Sequence, residues 1–122
     1  MNTRQTGNVY EQKAADYLEK QGVRILERNF RRGRNGEIDL IGRDGKYLVF
    51  VEVKYRSGTD KGSAAEAVTA AKQRTICRVA DYYRYLHHYE ENTWVRYDVV
   101  AIQGEEISWI QNAFPHHYRT GS

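Results

Sequence analysis

Residues 36–54 read GEIDLIGRDGKYLVFVEVK. Two apolar runs flank Asp44-Gly45, a dipeptide that favours a two-residue hairpin turn. The second run predicts a strand that is apolar on both faces: Leu48 and Phe50 point one way, Val49, Val51 and Val53 the other. A strand of that kind sits in the middle of a sheet, covered on both sides. Yet Glu52 and Lys54 fall at its end, two residues apart and therefore on one face. Charged groups in a buried strand are costly unless they are paired, bind a metal or serve chemistry. With Asp44-Gly45 as the loop, Arg43 faces Lys46, Asp39 faces Phe50 and Glu37 faces Glu52. Glu37, Asp39, Glu52 and Lys54 then project from one side of the hairpin. Asp39 and Glu52 become diagonal neighbours, ~7–8 Å apart at the backbone. That is close enough for two carboxylates to reach one divalent ion.

The chain of 122 residues fits a single domain over 1–122. It is 40% hydrophobic and 29% charged with one Pro, a globular composition. No apolar run approaches the ~20 residues of a membrane span. The opening MNTRQTGNVYEQK lacks the apolar core of a signal peptide. A lone Cys77 excludes an internal disulfide and a Cys-based zinc site and fits a cytoplasmic protein. The formal charge is +3, and its distribution says more than its size. Arg24, Arg28, Arg31, Arg32 and Arg34 crowd one short stretch opposed only by Glu27. Beside a carboxylate cluster, such a patch suits a polyanion; it also suits a solvated edge strand.

Around the hairpin the chain reads as follows. Residues 5–21 predict a helix stopped by Gly22. Its apolar side is Tyr10, Ala14, Ala15, Tyr17 and Leu18. Glu11 lies on that stripe, as a functional carboxylate or as a helix-start Glu favoured by the dipole. Residues 23–30 alternate as an Arg-rich edge strand. Three strands with no room for a crossover form an antiparallel meander. Residues 56–63, RSGTDKGS, read as a connector that could also gate a site. A helical pattern covers 64–89, with a break near Val68 to Ala71. Its stripe is Val68, Ile76, Val79, Ala80, Tyr83 and Leu86; Lys72 lies one turn before Ile76, and Arg74, Arg78 and Arg84 read as solvated. Tyr82, Tyr83, Tyr85, His87, His88 and Tyr89 read as core plus amphipathic surface rather than a base-stacking platform. Residues 94–102 give a further strand, parallel to the central one through the helical crossover, and 106–110 a short last strand. The tail from Gln111 reads as loosely ordered. The class is α/β, in the order α-β-β-β-α-β-β.

Glu11, Asp39, Glu52 and Lys54 together match the needs of phosphodiester hydrolysis. Mg²⁺ or Mn²⁺ takes oxygen ligands, often one or two carboxylates plus waters and phosphate oxygens. Asp39 and Glu52 supply carboxylates, the Val53 carbonyl a neutral ligand, and Glu11 either completes the shell or anchors Lys54 or a water. The Lys54 ammonium is a point charge for the transition state. Arg28, Arg31, Arg32, Arg34 and Lys72 are candidate contacts to nucleic acid. Glu37 is as much a structural partner as a ligand.

Asp39 followed by Glu52-Val53-Lys54, on a meander between two helices, resembles the PD-(D/E)xK nuclease superfamily, which includes restriction endonucleases and Holliday-junction resolvases. More narrowly, the chain resembles the YraN-like family of small bacterial proteins. The shared pieces are Glu11, Ala14-Ala15 and Tyr17-Leu18, then ILERNF from Ile25, GEIDLI from Gly36, LVFVEVK from Leu48, Lys72, RYDVV from Arg96, and NAF from Asn112. Tyr10 stands where that family usually has Gly, and Ile38 where the superfamily motif has Pro. The resemblance implies a restriction-endonuclease-like fold with a mixed central sheet flanked by helices. It also implies nucleic acid, DNA first and branched or structured DNA among the substrates, and a homodimer. The expectation is thus a metal-dependent endonuclease; the alternative is a non-catalytic nucleic-acid-binding protein of the same fold.

Overall fold

The computed structural model describes residues 3–34, 36–56 and 68–118. The elements are α1 (Thr3–Lys20), β1 (Arg24–Arg31), β2 (Glu37–Asp44), β3 (Tyr47–Arg56), α2 (Ala70–Leu86), β4 (Val95–Gln103) and β5 (Glu106–Ile110). They form one five-stranded sheet in the order β1-β2-β3-β4-β5. β3 is the middle strand, as its two apolar faces require. It is antiparallel to β2 and parallel to β4, while β5 returns antiparallel at the far edge.

α1 ends where Gly22 adopts φ 95, and the Val23 amide reaches back to the Leu18 carbonyl at 2.9 Å. This left-handed cap turns the chain into β1. Ala14, Ala15 and Leu18 press α1 onto Leu40, Val49, Val51, Val100 and Ile102. On the other face Ile76, Cys77, Val79, Ala80 and Tyr83 of α2 cover Ile41, Leu48, Phe50, Tyr97 and Val99. Cys77 belongs to this stripe, whereas the predicted member Leu86 is 43% exposed. α2 begins at the predicted break, capped by the Thr69 side chain accepting from the Lys72 amide. The 57–63 connector and the helix start near 64 lie outside the described residues. Arg84, expected in solvent, is mostly covered; it pairs with Asp81 at 3.7 Å and donates to the Glu90 and Glu91 carbonyls.

The hairpin register differs from the expected one. Asp44 pairs with Tyr47 and Arg43 with Leu48, so the turn is Gly45-Lys46. Gly45 has φ 59, which puts glycine at the first central position of the turn, as in type II′, rather than at the second. The register therefore shifts by two residues, which preserves facing but changes partners. Asp39 now lies on the line toward Glu52 rather than Phe50. The ladder itself stops at Leu40 and Val51. Past that point the strands fork. The expectation that all four charged residues share one face also fails beyond the fork: Ile38 lies in the cluster under α2 and Leu40 in the cluster under α1. Residues two apart in a regular strand share a face, so the alternation slips once between them, and Glu37 turns toward the α1 side. On β1, Asn29 sits across the slip with φ 53, between the pairs Arg28–Leu40 and Phe30–Ile38.

The tail through Tyr118 is docked rather than loose. The Ala113 amide donates to the Tyr97 carbonyl at 2.7 Å, Phe114 is buried against the Tyr97 ring, and the Tyr97 hydroxyl shares a 2.6 Å hydrogen bond with His116 Nδ1.

Gly36 sets how closely the β1–β2 connection approaches α2. A Cβ there would overlap Val79 Cγ2, and a β-branched side chain in a helix has little rotamer freedom to yield. Gly36→Ala is expected to destabilise by ~1–3 kcal/mol in urea titration. In a double-mutant cycle with Val79→Ala most of that cost should disappear; additive costs would place the strain elsewhere.

Candidate functional site

The site lies in the fork, where β2 and β3 part. The β3 amide of Val53 has no strand partner on β2; it donates instead to Asp39 Oδ2 at 2.8 Å. This contact holds the carboxylate between the two strands and leaves Oδ1 outside that bond. Glu52, only 7% exposed, takes Lys54 at 3.6 Å and Lys72 of α2 at 3.9 Å on the same oxygen. Glu11 arrives from α1, half-buried, with the Asn29 side chain near enough to lower its pKa. Glu37 completes the group and pairs with Arg31 at 3.3 Å.

Charge in the fork is unbalanced. Burial, then the neighbouring Glu52, pushes the Asp39 carboxyl up to about 8, against the Val53 amide, with Glu11 and Glu37 adding to the rise. Burial also raises Glu52, while Lys72 and Lys54 pull it back. Glu11 is raised by burial and drawn down by Asn29. Carboxylates that each raise the others' pKa mark a place where positive charge is favoured. Among the described residues no three His, Cys, Asp or Glu side chains converge as a cage for one ion. Two do not need to form a cage: a hard cation of the Mg²⁺ kind keeps several waters and uses one or two carboxylates. Asp39 and Glu52, with the carbonyl of Val53 as a neutral oxygen, are the residues that could hold such an ion.

The predicted basic contacts divide. Lys72 joins the carboxylates. Arg28 is held by Gln12 of α1 at 2.6 Å, and Arg31 by Glu37. Arg32 lies over the Tyr82 ring, 4.9 Å from its centroid, and with Arg34 borders a groove against α2. Sequence reasoning missed Asn29 as a neighbour of Glu11, although asparagine is one of the few residues that enters the left-handed region readily. It also missed Arg78, which lines that groove, and the stacking of Tyr10 on Tyr55 at 3.8 Å between centroids. A cavity of about 560 Å³ runs along Gly22 to Arg28, away from Asp39 and Glu52.

Among the described residues no helix is long and apolar enough to cross a membrane. Residues 10–102 match Uncharacterised protein family UPF0102. A UPF0102 protein of Lachnoclostridium phytofermentans is 49% identical over 114 residues, covering 93% of this chain and 96% of the relative. One of Vibrio cholerae is 45% identical over 116 residues, covering 93% and 94%, and one of Dechloromonas aromatica 48% identical over 108 residues, covering 88% and 87%. The chain belongs to this family.

Proposed function

We propose that this UPF0102 protein is a metal-dependent nuclease that hydrolyses phosphodiester bonds in DNA, branched or structured DNA included. The observation that carries the reading is the Asp39 carboxylate held at the fork by the Val53 amide at 2.8 Å, within the field of Glu52, with the Lys54 ammonium 3.6 Å from Glu52. It supports the match of Asp39 and Glu52-Val53-Lys54 to the PD-(D/E)xK pattern. Asp39, Glu52 and the Val53 carbonyl would hold Mg²⁺ or Mn²⁺, with Glu11 as a further carboxylate. When bound, the ion supplies neutralisation of the phosphate and a lower pKa for the attacking water. Lys54 sits beside these groups to stabilise charge on the phosphoryl oxygens, and Glu52 fixes its position. Lys72 offsets the remaining negative charge at Glu52.

Four-way, flap, duplex and single-stranded substrates incubated with Mg²⁺ or Mn²⁺ test the reading. Cleavage is expected on at least one, with a rate loss on the order of 10²–10³ in Lys54→Ala, the scale for removing one preorganised electrostatic group. Asp39→Asn should lose at least as much. No cleavage of any of the four with either ion overturns the nuclease reading.

The engagement of both Lys54 and Lys72 with Glu52 favours a second reading, binding of nucleic acid without turnover. It predicts salt-dependent binding that survives Asp39→Asn and fails when the arginines of residues 28–34 are removed.

A further inference from the structure

We propose that the groove between the β1–β2 connection and α2 is a backbone-phosphate subsite, separate from the carboxylates, that grips a polynucleotide two to three nucleotides away from the bond at the fork. It rests on the nucleic-acid reading above.

The groove measures about 470 Å³ and is bordered by Arg32, Arg34, Gly36, Thr75, Arg78 and Val79, three guanidinium groups with no carboxylate among the lining residues. The nearby charges that could neutralise one another are already committed: Arg31 to Glu37, and Lys72 to Glu52. Among the described residues the groove arginines are not. Arg32 rests on the Tyr82 ring, Arg78 reaches only the Thr75 hydroxyl at 3.4 Å, and Arg34 has no hydrogen bond or ion pair among the described residues. Three cations gathered without an anion repel one another. The arrangement is favourable once a phosphate lies between them, because guanidinium forks match its oxygens in pairs.

The groove is built into the fold. Gly36 lacks the Cβ that would strike Val79, so the connection lies close against α2. The Arg32 amide closes that connection on the Gly36 carbonyl at 3.0 Å. Gly36 then leads directly into Glu37 and Asp39, so the groove and the fork share one segment of chain. The same continuity runs along α2. Lys72, which touches Glu52, then Thr75 and Arg78 follow one another three residues apart, so each is a neighbour of the next on the helix surface. At 1.5 Å per residue Arg78 lies about 9 Å beyond Lys72. A stacked strand rises ~3.4 Å per nucleotide, so that step spans two to three nucleotides. A mononucleotide or inorganic phosphate could fill one of the two positions; a strand fills both.

The test compares binding in proteins that all carry Asp39→Asn, so that turnover does not interfere. Fluorescence anisotropy of a labelled twelve-nucleotide single strand, and of its duplex, is followed from about 50 to 250 mM KCl. Arg34→Ala with Arg78→Ala is expected to weaken binding at least tenfold at the low end. It should reduce the slope of log K against log salt by about 1.4–1.8, the loss of two phosphate contacts. Arg34→Lys with Arg78→Lys should keep most of the slope. Arg24→Ala with Arg43→Ala, the same charge change at the other end of the β1–β2 pair, should keep all of it. A trinucleotide, too short to span from Glu52 to Arg78, should bind both proteins alike. An unchanged slope in a protein that still binds the twelve-mer overturns the subsite and leaves the nucleic-acid reading standing. So does equal weakening of the trinucleotide, which would assign these arginines to the fork itself. Absence of any binding to either twelve-mer overturns both readings.

Discussion

In chelator at pH 8.5, Asp39→Asn is expected to melt at a higher temperature than the wild type, and the gap should narrow steadily as pH falls and close only near pH 4. The Asp39 carboxyl is raised to about 8 in the folded chain, chiefly by burial and by Glu52, against an unfolded value near 3.9. Between those values the folded state holds a proton that the unfolded state has released. Stability from this group is therefore fully present below about pH 4 and lost as pH climbs through 8. An asparagine keeps the size of the side chain and an oxygen for the Val53 amide but has no proton to lose, so the penalty vanishes. The comparison with the mutant carries the reading, rather than the raw slope. His116, whose pKa burial lowers, contributes with the opposite sign as pH rises toward its unfolded value. Addition of Mg²⁺ or Mn²⁺ should reverse the order at high pH. A cation competes with protons for the same oxygens, so its stabilisation of the wild type grows with pH, and in Asp39→Asn it should shrink or disappear. Parallel melting curves across the pH range, with the ions present and absent, would remove Asp39 from any electrostatic centre.

The residues that made this site visible in the sequence are those whose chemistry contradicts their surroundings. Glu52 and Lys54 stand out because five apolar neighbours in Tyr47–Arg56 define a buried strand without any knowledge of the rest of the fold. The order of elements follows from similar local periodicities. What was not legible depends on backbone detail or on distant partners. Asp-Gly and Gly-Lys both make two-residue turns, and only the position at which Gly45 takes its positive φ decides between registers two residues apart. The slip at Asn29 and Asp39 leaves no periodic trace, since one left-handed residue suffices to make it. Arg78 reads as an ordinary solvated arginine until the β1–β2 connection is laid against it. Phe114 lies in a polar tail, and its burial depends on Tyr97, which it stacks upon.

Asp98→Ala is expected to cost ~3–5 kcal/mol in urea denaturation, the loss that follows when one partner of a buried ion pair is removed. The Asp98 side chain is fully buried. It accepts from Arg96 Nε at 3.0 Å and Nη2 at 3.0 Å, from the Trp109 indole at 2.9 Å and from the Asn112 amide at 2.9 Å. Its removal would leave Arg96 with Asp44 alone, at 2.8 Å, and two further donors without acceptors. Asp98→Asn should lose most of the same amount, because its amide would present hydrogens to a guanidinium. Asp44→Ala should cost closer to 1 kcal/mol, since that carboxylate is partly solvated. Replacing both Arg96 and Asp98 by apolar residues should recover part of the single-mutant loss. A loss below about 1 kcal/mol for Asp98→Ala would mean that water satisfies the network. In sequence, Arg96 and Asp98 look like Glu52 and Lys54: two charges, two residues apart, in a buried strand. The difference is in the balance. Arg96 and Asp98 meet complementary partners and close a network at the turn end of β2. Glu52 and Asp39 sit among more carboxylates than Lys54 and Lys72 can neutralise. The first pair should therefore report in denaturation at any metal concentration, and the second in metal-dependent melting and cleavage.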